Sequence, residues 1–219
     1  MNTRKPCLLF VSLFVLSHIN ASALGVIAFN NIGAPADGRI YRGDWALNNG
    51  ELQLVSWQPC SGATFHAALY WGPAGAISDA GLVQVGAPGS FVTGVAAGIF
   101  FGGNRTLSTP LDGPVLSFQV RAWEGTAPNY ELALSPGYSG IAGKGPIIQM
   151  DTKDPNDVTE VPPIIGKSPQ WQGFIFGPDG MTVLIPEPST VGIAVLGLSA
   201  LLLRVTPISR SPRRRSQGT

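Results

Sequence analysis

Glycine and proline punctuate the central part of this 219-residue chain closely enough to disfavour long regular helices. There are 28 glycines and 19 prolines against only 12% charged residues. Glycine adds backbone entropy that a helix must remove, and proline deletes a helix hydrogen bond, so short strands joined by tight turns are the cheaper solution. Runs of strand character lie at 26–30, 52–57, 64–71, 83–85, 91–95, 99–101, 115–123, 130–134, 147–150, 174–176 and 181–184. Gly72-Pro73, Pro88-Gly89, Gly102-Gly103-Asn104 and Asp112-Gly113-Pro114 supply turn chemistry between them. The clearest run is 115–123. There Leu116, Phe118, Val120 and Ala122 alternate with Ser117, Gln119 and Arg121, which predicts one packed face and one wet face. No exact internal repeat is visible. The expected fold class is all-β: a single β-sandwich body over 24–180, with jelly-roll or immunoglobulin-like connections both open.

Charge is segregated along the chain. Arg4 and Lys5 stand at one end and Arg204, Arg210, Arg213, Arg214 and Arg215 at the other. Between 24 and 185 seven basic side chains face twelve acidic ones, a balance of −5. Nucleic acid is excluded as an expected partner, because displacing counterions from phosphates requires a basic face.

Residues 1–23 read as a signal peptide: a cationic Arg4-Lys5, an apolar run over 7–16, then Ala21-Ser22-Ala23 with cleavage before Leu24. About ten apolar residues make only about 15 Å of helix, half of a hydrocarbon core of about 30 Å. Cys7 leaves with this segment, so Cys60 is the one cysteine of the expected mature chain and no intrachain disulfide can form. Cys60 is expected to be buried and inert.

At the other end Pro186-Glu187-Pro188 precedes the apolar run Val191-Gly192-Ile193-Ala194-Val195-Leu196-Gly197-Leu198-Ser199-Ala200-Leu201-Leu202-Leu203, and the five arginines from Arg204 to Arg215 follow. Two prolines around a glutamate hold an extended segment. The apolar run is short for a single transmembrane helix, so spanning would recruit Ser189 and Thr190 and let Arg204 snorkel. The arginines place the tail in the cytoplasm and the body outside. This arrangement over 186–219 resembles the PEP-CTERM sorting signal of bacteria that make extracellular polymeric material. In this chain fifteen residues follow Arg204. The resemblance implies that 181–219 is a proline-rich linker, sorting motif, membrane helix and basic stop. It also implies an exosortase-like enzyme that cuts near Pro186-Glu187-Pro188, making this chain a substrate. Phe29-Asn30-Asn31, the segment from Ala68 through Tyr70-Trp71-Gly72-Pro73 to Gly75, and Phe118-Gln119-Val120-Arg121-Ala122-Trp123 resemble bodies of uncharacterised PEP-CTERM proteins from Verrucomicrobia-like bacteria. That likeness brings no activity with it.

Candidates for chemistry in the body are few. His66 is the sole histidine after cleavage and is read as structural, six residues from Cys60 and without a third orienting group. Glu51, Glu124, Glu131, Asp151, Asp154, Asp157 and Glu160 could supply a glycosidase pair, but no pair is singled out and solvated loop acids are expected. The segment 151–157 misses the ligand spacing and glycine of an EF-hand, so no metal or cofactor is expected. Arg42-Gly43-Asp44 and Asn104-Arg105-Thr106 match an integrin tripeptide and a glycosylation acceptor by coincidence. Trp45, Trp57, Trp71, Trp123 and Trp171 could stack against sugar rings, but core packing uses the same residues and structural roles are expected for most of them. The expected function is therefore an exported, non-enzymatic cell-surface or matrix-associated protein, first anchored in the inner membrane. The alternatives are a carbohydrate-binding module for an extracellular polysaccharide and a glycan hydrolase.

Overall fold

The computed structural model describes residues 25–34, 38–107 and 115–185. Within them the all-β class holds. The strands are β1 (Val26–Asn30), β2 (Ile40–Asn48), β3 (Glu51–Pro59), β4 (Gly62–Gly72), β5 (Val83–Phe91), β6 (Phe100–Thr106), β7 (Val115–Glu124), β8 (Ile141–Asp151), β9 (Phe174–Pro178) and β10 (Thr182–Leu184). They form one curled open sheet in the order β1-β6-β5-β4-β7-β8-β9-β2-β3, with β10 also on β9. Neighbours are antiparallel except β2 and β9, which pair in parallel through Ile40–Phe174, Tyr41–Ile175 and Arg42–Phe176.

Backbone hydrogen bonds at the margin of the ladder hold the curl. Ile40 N donates to Gly98 O at 3.0 Å, Gly98 N to Cys60 O at 2.7 Å and Cys60 N to Ile40 O at 3.1 Å. These tie the root of the β2–β3 hairpin to the β5–β6 connection and enclose the inner face. Ile27, Phe29, Leu69, Phe100, Leu116, Phe118, Val120, Phe174 and Phe176 meet there in the main core. Full burial of such side chains contributes about 1.5–3 kcal/mol each, which favours a curl over a flat sheet with one wet apolar face.

Several local expectations are corrected. The strand expected over 130–134 is one helical turn, α1 (Tyr130–Ala133), because Asn129 caps it by accepting from Leu132 N at 2.8 Å. Tyr130 and Ala133, three apart, are its buried residues, which is helical and not strand spacing. In 91–95 the strand ends at Phe91 and a 3-10 turn follows over Gly94–Ala96. Pro88-Gly89 and Gly102-Gly103-Asn104 lie inside β5 and β6 and do not turn the chain. A side chain on Gly89 would overlap the backbone of Phe101 and Gly102, so that glycine serves close strand approach. β2 was not anticipated, although Asn49-Gly50 at its end carries the hairpin signal, with φ of 53° and 87°.

The largest correction concerns β7. Its polar face is buried: Ser117, Gln119 and Arg121 are nearly inaccessible, like the apolar residues between them. The connection after β4 and helix α1 lie over this outer face. A second apolar cluster of Ala68, Tyr70, Leu82, Trp123, Ala127, Tyr130 and Ala133 seals it.

Candidate functional site

The buried polar layer outside β4, β7 and β8 is the densest set of charged and hydrogen-bonding side chains among the described residues. Strand alternation puts Tyr70, Gln119 and Arg121 on one face, and the Tyr70–Gln119 and Ala68–Arg121 register brings them side by side. Arg121 Nε donates to Gln119 Oε1 at 2.9 Å, Nη1 to Glu131 Oε1 at 2.6 Å and Nη2 to Asp79 O at 3.3 Å. Its guanidinium also lies 3.8 Å from the Tyr70 ring centre. The Tyr70 hydroxyl donates to Glu131 Oε2 at 2.7 Å, so both oxygens of that carboxylate are engaged. Gln119 Nε2 donates to Gly145 O at 3.1 Å. Ser117 Oγ donates to Pro73 O at 2.6 Å and accepts from Ala76 N at 3.0 Å, holding the covering loop down.

At the rim of this layer Asp79 and Lys144 form an ion pair. The Lys144 ammonium holds the Asp79 carboxyl below its ordinary range. Both side chains line an open cleft of about 600 Å³ with Ile77, Gln119, Ile147 and Thr182. The arrangement is a clamp: donors and acceptors satisfy one another, and the Glu131 carboxylate is already shared by a guanidinium and a phenol.

His66 lies elsewhere, in a second open pocket of about 650 Å³ with Thr64, Pro88, Thr126 and Pro128. Its ring stacks on Trp123 at 5.6 Å, and the Trp123 indole donates to Ala127 O at 2.8 Å. Cys60 belongs to the main inner core, whereas His66 shares the outer face with Trp123, so the sheet separates thiol from imidazole. Cys60 is fully buried, and burial pushes its thiol up.

The carboxylates scatter. Glu124 pairs with Arg42, whose guanidinium also pairs with Asp44, and Ser56 Oγ donates to Asp44 at 2.8 Å. Arg42-Gly43-Asp44 is thus part of β2 and not a loop. Asp154 accepts from Asn156 N, and Asp157 from Thr159 N and Oγ1, each within its own turn. Glu51 and Glu160 are exposed. Among the described residues no three of His, Cys, Asp or Glu converge as a metal site would require. Trp123 and Trp171 are core residues, Trp45 and Trp71 are half-buried and Trp57 is exposed. Sequence reasoning did not single out Asp79, Lys144 or Tyr70. The available signal was Arg121 in the middle of a strand whose other face is wholly apolar, a charge that becomes costly unless partners are brought to it.

Ala21, Ala23 and Leu24 of the signal-cleavage site, the Pro186-Glu187-Pro188 motif, the apolar run 191–203 and the arginines from Arg204 to Arg215 lie outside the described residues. Among the described residues no helix is long and apolar enough to cross a membrane. No protein family, curated protein or solved structure matches the chain.

Burial of Cys60, Tyr70 and Tyr130 has a measurable consequence. All three are held neutral above their ordinary values, chiefly by desolvation, with the Glu131 hydrogen bond adding to the effect at Tyr70. The unfolded chain ionises near pH 8.5 at cysteine and near 10 at tyrosine, while the folded chain does not, so stability present at neutral pH falls as pH rises. Cys60 alone should remove about 1.4 kcal/mol per pH unit above its ordinary value. Urea denaturation between pH 7 and 10 should show this loss, and Cys60→Ala should flatten the part that begins near pH 8.5.

Proposed function

We propose that this chain is an exported cell-surface or matrix-associated protein whose body is non-catalytic cargo for a PEP-CTERM-like signal at 186–215, processed by an exosortase-like enzyme. The observation that carries this reading is the order of proline-bounded glutamate, apolar run and arginines in the sequence, next after the β10 strand that closes on β9. β10 pairs with β9 through Leu184, and Ile185 N donates to Gly173 O at 3.1 Å. Pro186-Glu187-Pro188 follows at once in sequence. A cut at a proline-bounded glutamate that follows β10 in the sequence would leave all ten strands in one piece. The engagement of Glu124, Glu131 and Asp79 in ion pairs favours a structural role for these acids over hydrolysis. We read the curl as sandwich-like, with β9, β10, β2 and β3 forming one layer over the rest.

Intact mass and both termini of the protein recovered from its native host test the reading. The expected chain begins at Leu24 and ends near Pro186-Glu187-Pro188 only in cells that hold the processing enzyme. Retention of 191–219 in cells with and without that enzyme overturns it.

A second reading, binding of an extracellular polysaccharide, is favoured by the cleft beside Asp79 and Lys144. Its ion pair and Thr182 offer hydrogen bonds, while Ile77 and Ile147 offer apolar walls for sugar faces. Lys144→Ala should weaken retention on the host's own polymer at least fivefold, and unchanged retention removes this reading.

A further inference from the structure

Two hairpins of this sheet turn on an acid or amide residue followed by glycine, with both residues at positive φ. Asn49 and Gly50 have φ of 53° and 87° between β2 and β3, and Asp179 and Gly180 have 54° and 77° between β9 and β10. Such pairs suit a two-residue turn, the first of which sets Asn48 opposite Glu51.

Their surroundings differ. A side chain on Gly180 would come within 3.3 Å of the Tyr130 hydroxyl and 3.6 Å of Leu134, and Asp179 N donates to Gly140 O at 2.8 Å. A side chain on Gly50 would meet nothing within 4 Å, and Asn49 and Gly50 are both exposed. Among the described residues neither the Asn49 carboxamide nor the Gly50 N–H takes part in a hydrogen bond.

We propose that Asn49 is a self-modification site, at which the Gly50 amide nitrogen attacks the Asn49 carboxamide and converts it to aspartate and isoaspartate. A base in solution takes the Gly50 amide proton as the bond from Gly50 N to Asn49 Cγ forms. The Cγ–Nδ2 bond then breaks, and that nitrogen takes up a proton and leaves as ammonia. Water adds to either carbonyl of the resulting succinimide ring. Opening on one side gives aspartate, and opening on the other gives isoaspartate, whose main chain runs through the former side chain. Nucleophile and electrophile sit on adjacent residues, so the step is intramolecular and needs no enzyme.

The neighbours of this asparagine single it out. Asn49 is the one asparagine of the sequence followed by glycine. At the others the side chain of the next residue shields the attacking nitrogen. Several other carboxamides are also engaged: Asn30 Oδ1 accepts from Ile32 N, Asn48 Nδ2 donates to Gln53 Oε1, Asn129 Oδ1 accepts from Leu132 N and Asn156 Nδ2 donates to Asp154. Ring closure must rotate the backbone at Asn49 out of its turn conformation. A bare tip on an edge hairpin can open for this while the core stays closed, whereas the tip at Asp179 is packed down. Isoaspartate then lengthens the main chain of a turn that fixes register, which breaks the Asn48–Glu51 pair and sets a new negative charge beside Glu51.

The test holds the folded full-length chain at pH 8 over a time course and maps its peptides by mass spectrometry. The peptide with Asn49 should exchange NH for O in mass and split into two chromatographic forms, with fragmentation placing the change at Asn49. It should convert about tenfold or more faster than the peptides with Asn104 and Asn156, and Gly50→Ala should slow it by a similar factor. The rate in the folded chain should lie within about threefold of that in urea, a comparison that needs no variant to fold. Conversion only in urea, or at Asn49 no faster than at Asn156, overturns the proposal.

Discussion

Asn31→Asp should destabilise the fold by about 3–5 kcal/mol at neutral pH and recover much of that loss near pH 4. Asn31 is 1% exposed and stands just past β1. Its amide nitrogen donates to Gly38 O and Gly98 O, both at 3.1 Å, and its Oδ1 accepts from Phe100 N at 2.8 Å. One side chain thus joins the approach to β2, the β5–β6 connection and the start of β6, the same region where the sheet curls closed. A carboxylate there would turn an oxygen toward two carbonyl oxygens and bury its charge against them. The folded state would therefore hold the acid protonated, its value raised above the ordinary value of about 3.9. Below that value neither state ionises and the charge penalty is absent; as pH rises the unfolded chain ionises first and stability falls, by about 1.4 kcal/mol per unit. Denaturant midpoints at pH 4 and pH 7 measure the difference. Asn31→Ala should cost less, about 1–3 kcal/mol, with little pH dependence. Trp171 Nε1 still donates to Gly38 O and Ile40 N to Gly98 O, so the Phe100 N–H is the group that loses its partner. Equal losses for the two variants at both pH values would sink this account.

Arg121→Ala should cost about 3 kcal/mol, and Glu131→Gln about 1 kcal/mol or less, although the two residues share one ion pair. The asymmetry follows from burial. The Arg121 side chain is 7% exposed and that of Glu131 55%, so water can replace the arginine at the carboxylate but not at Gln119 Oε1. Removing the guanidinium also deletes its stack on Tyr70 and opens a void under the loop that carries Asp79. Glu131→Gln keeps an acceptor for Arg121, and its amide nitrogen can donate to the Tyr70 hydroxyl, whose own proton then turns to Gln84 Oε1. Urea midpoints give the two costs, and near-ultraviolet circular dichroism should report loosened Tyr70, Tyr130 and Trp123 only in the arginine variant. Losses of similar size would mean that the pair stabilises through charge and not through the buried network.

These two sites also mark how far the sequence could be read. The inner face of β7 was legible because Leu116, Phe118, Val120 and Ala122 recur at the strand period, and the four of them are core residues. The same alternation made Ser117, Gln119 and Arg121 look solvated. Nothing within 115–123 announces that the chain segments after β4 and before β8 come to lie over them. Tyr130-Glu131-Leu132-Ala133 is too short for its helical period to be distinguished from a strand. The β2–β3 hairpin was not legible, because Arg42, Gly43 and Asp44 disguise its first strand. The cleft residues Asp79 and Lys144 are 65 positions apart and acquire meaning only as a pair.

The sequence by itself determined the β-rich character of this body and the packed face of its central strand, because those depend on backbone preference and side-chain period over a few residues. Tertiary structure alone decided the strand order, the clamp at Asn31 and the burial of Arg121. Each of these depends on which distant segment covers a given face, and the cost of leaving a polar group or an apolar strip uncovered is felt only once the whole sheet has curled.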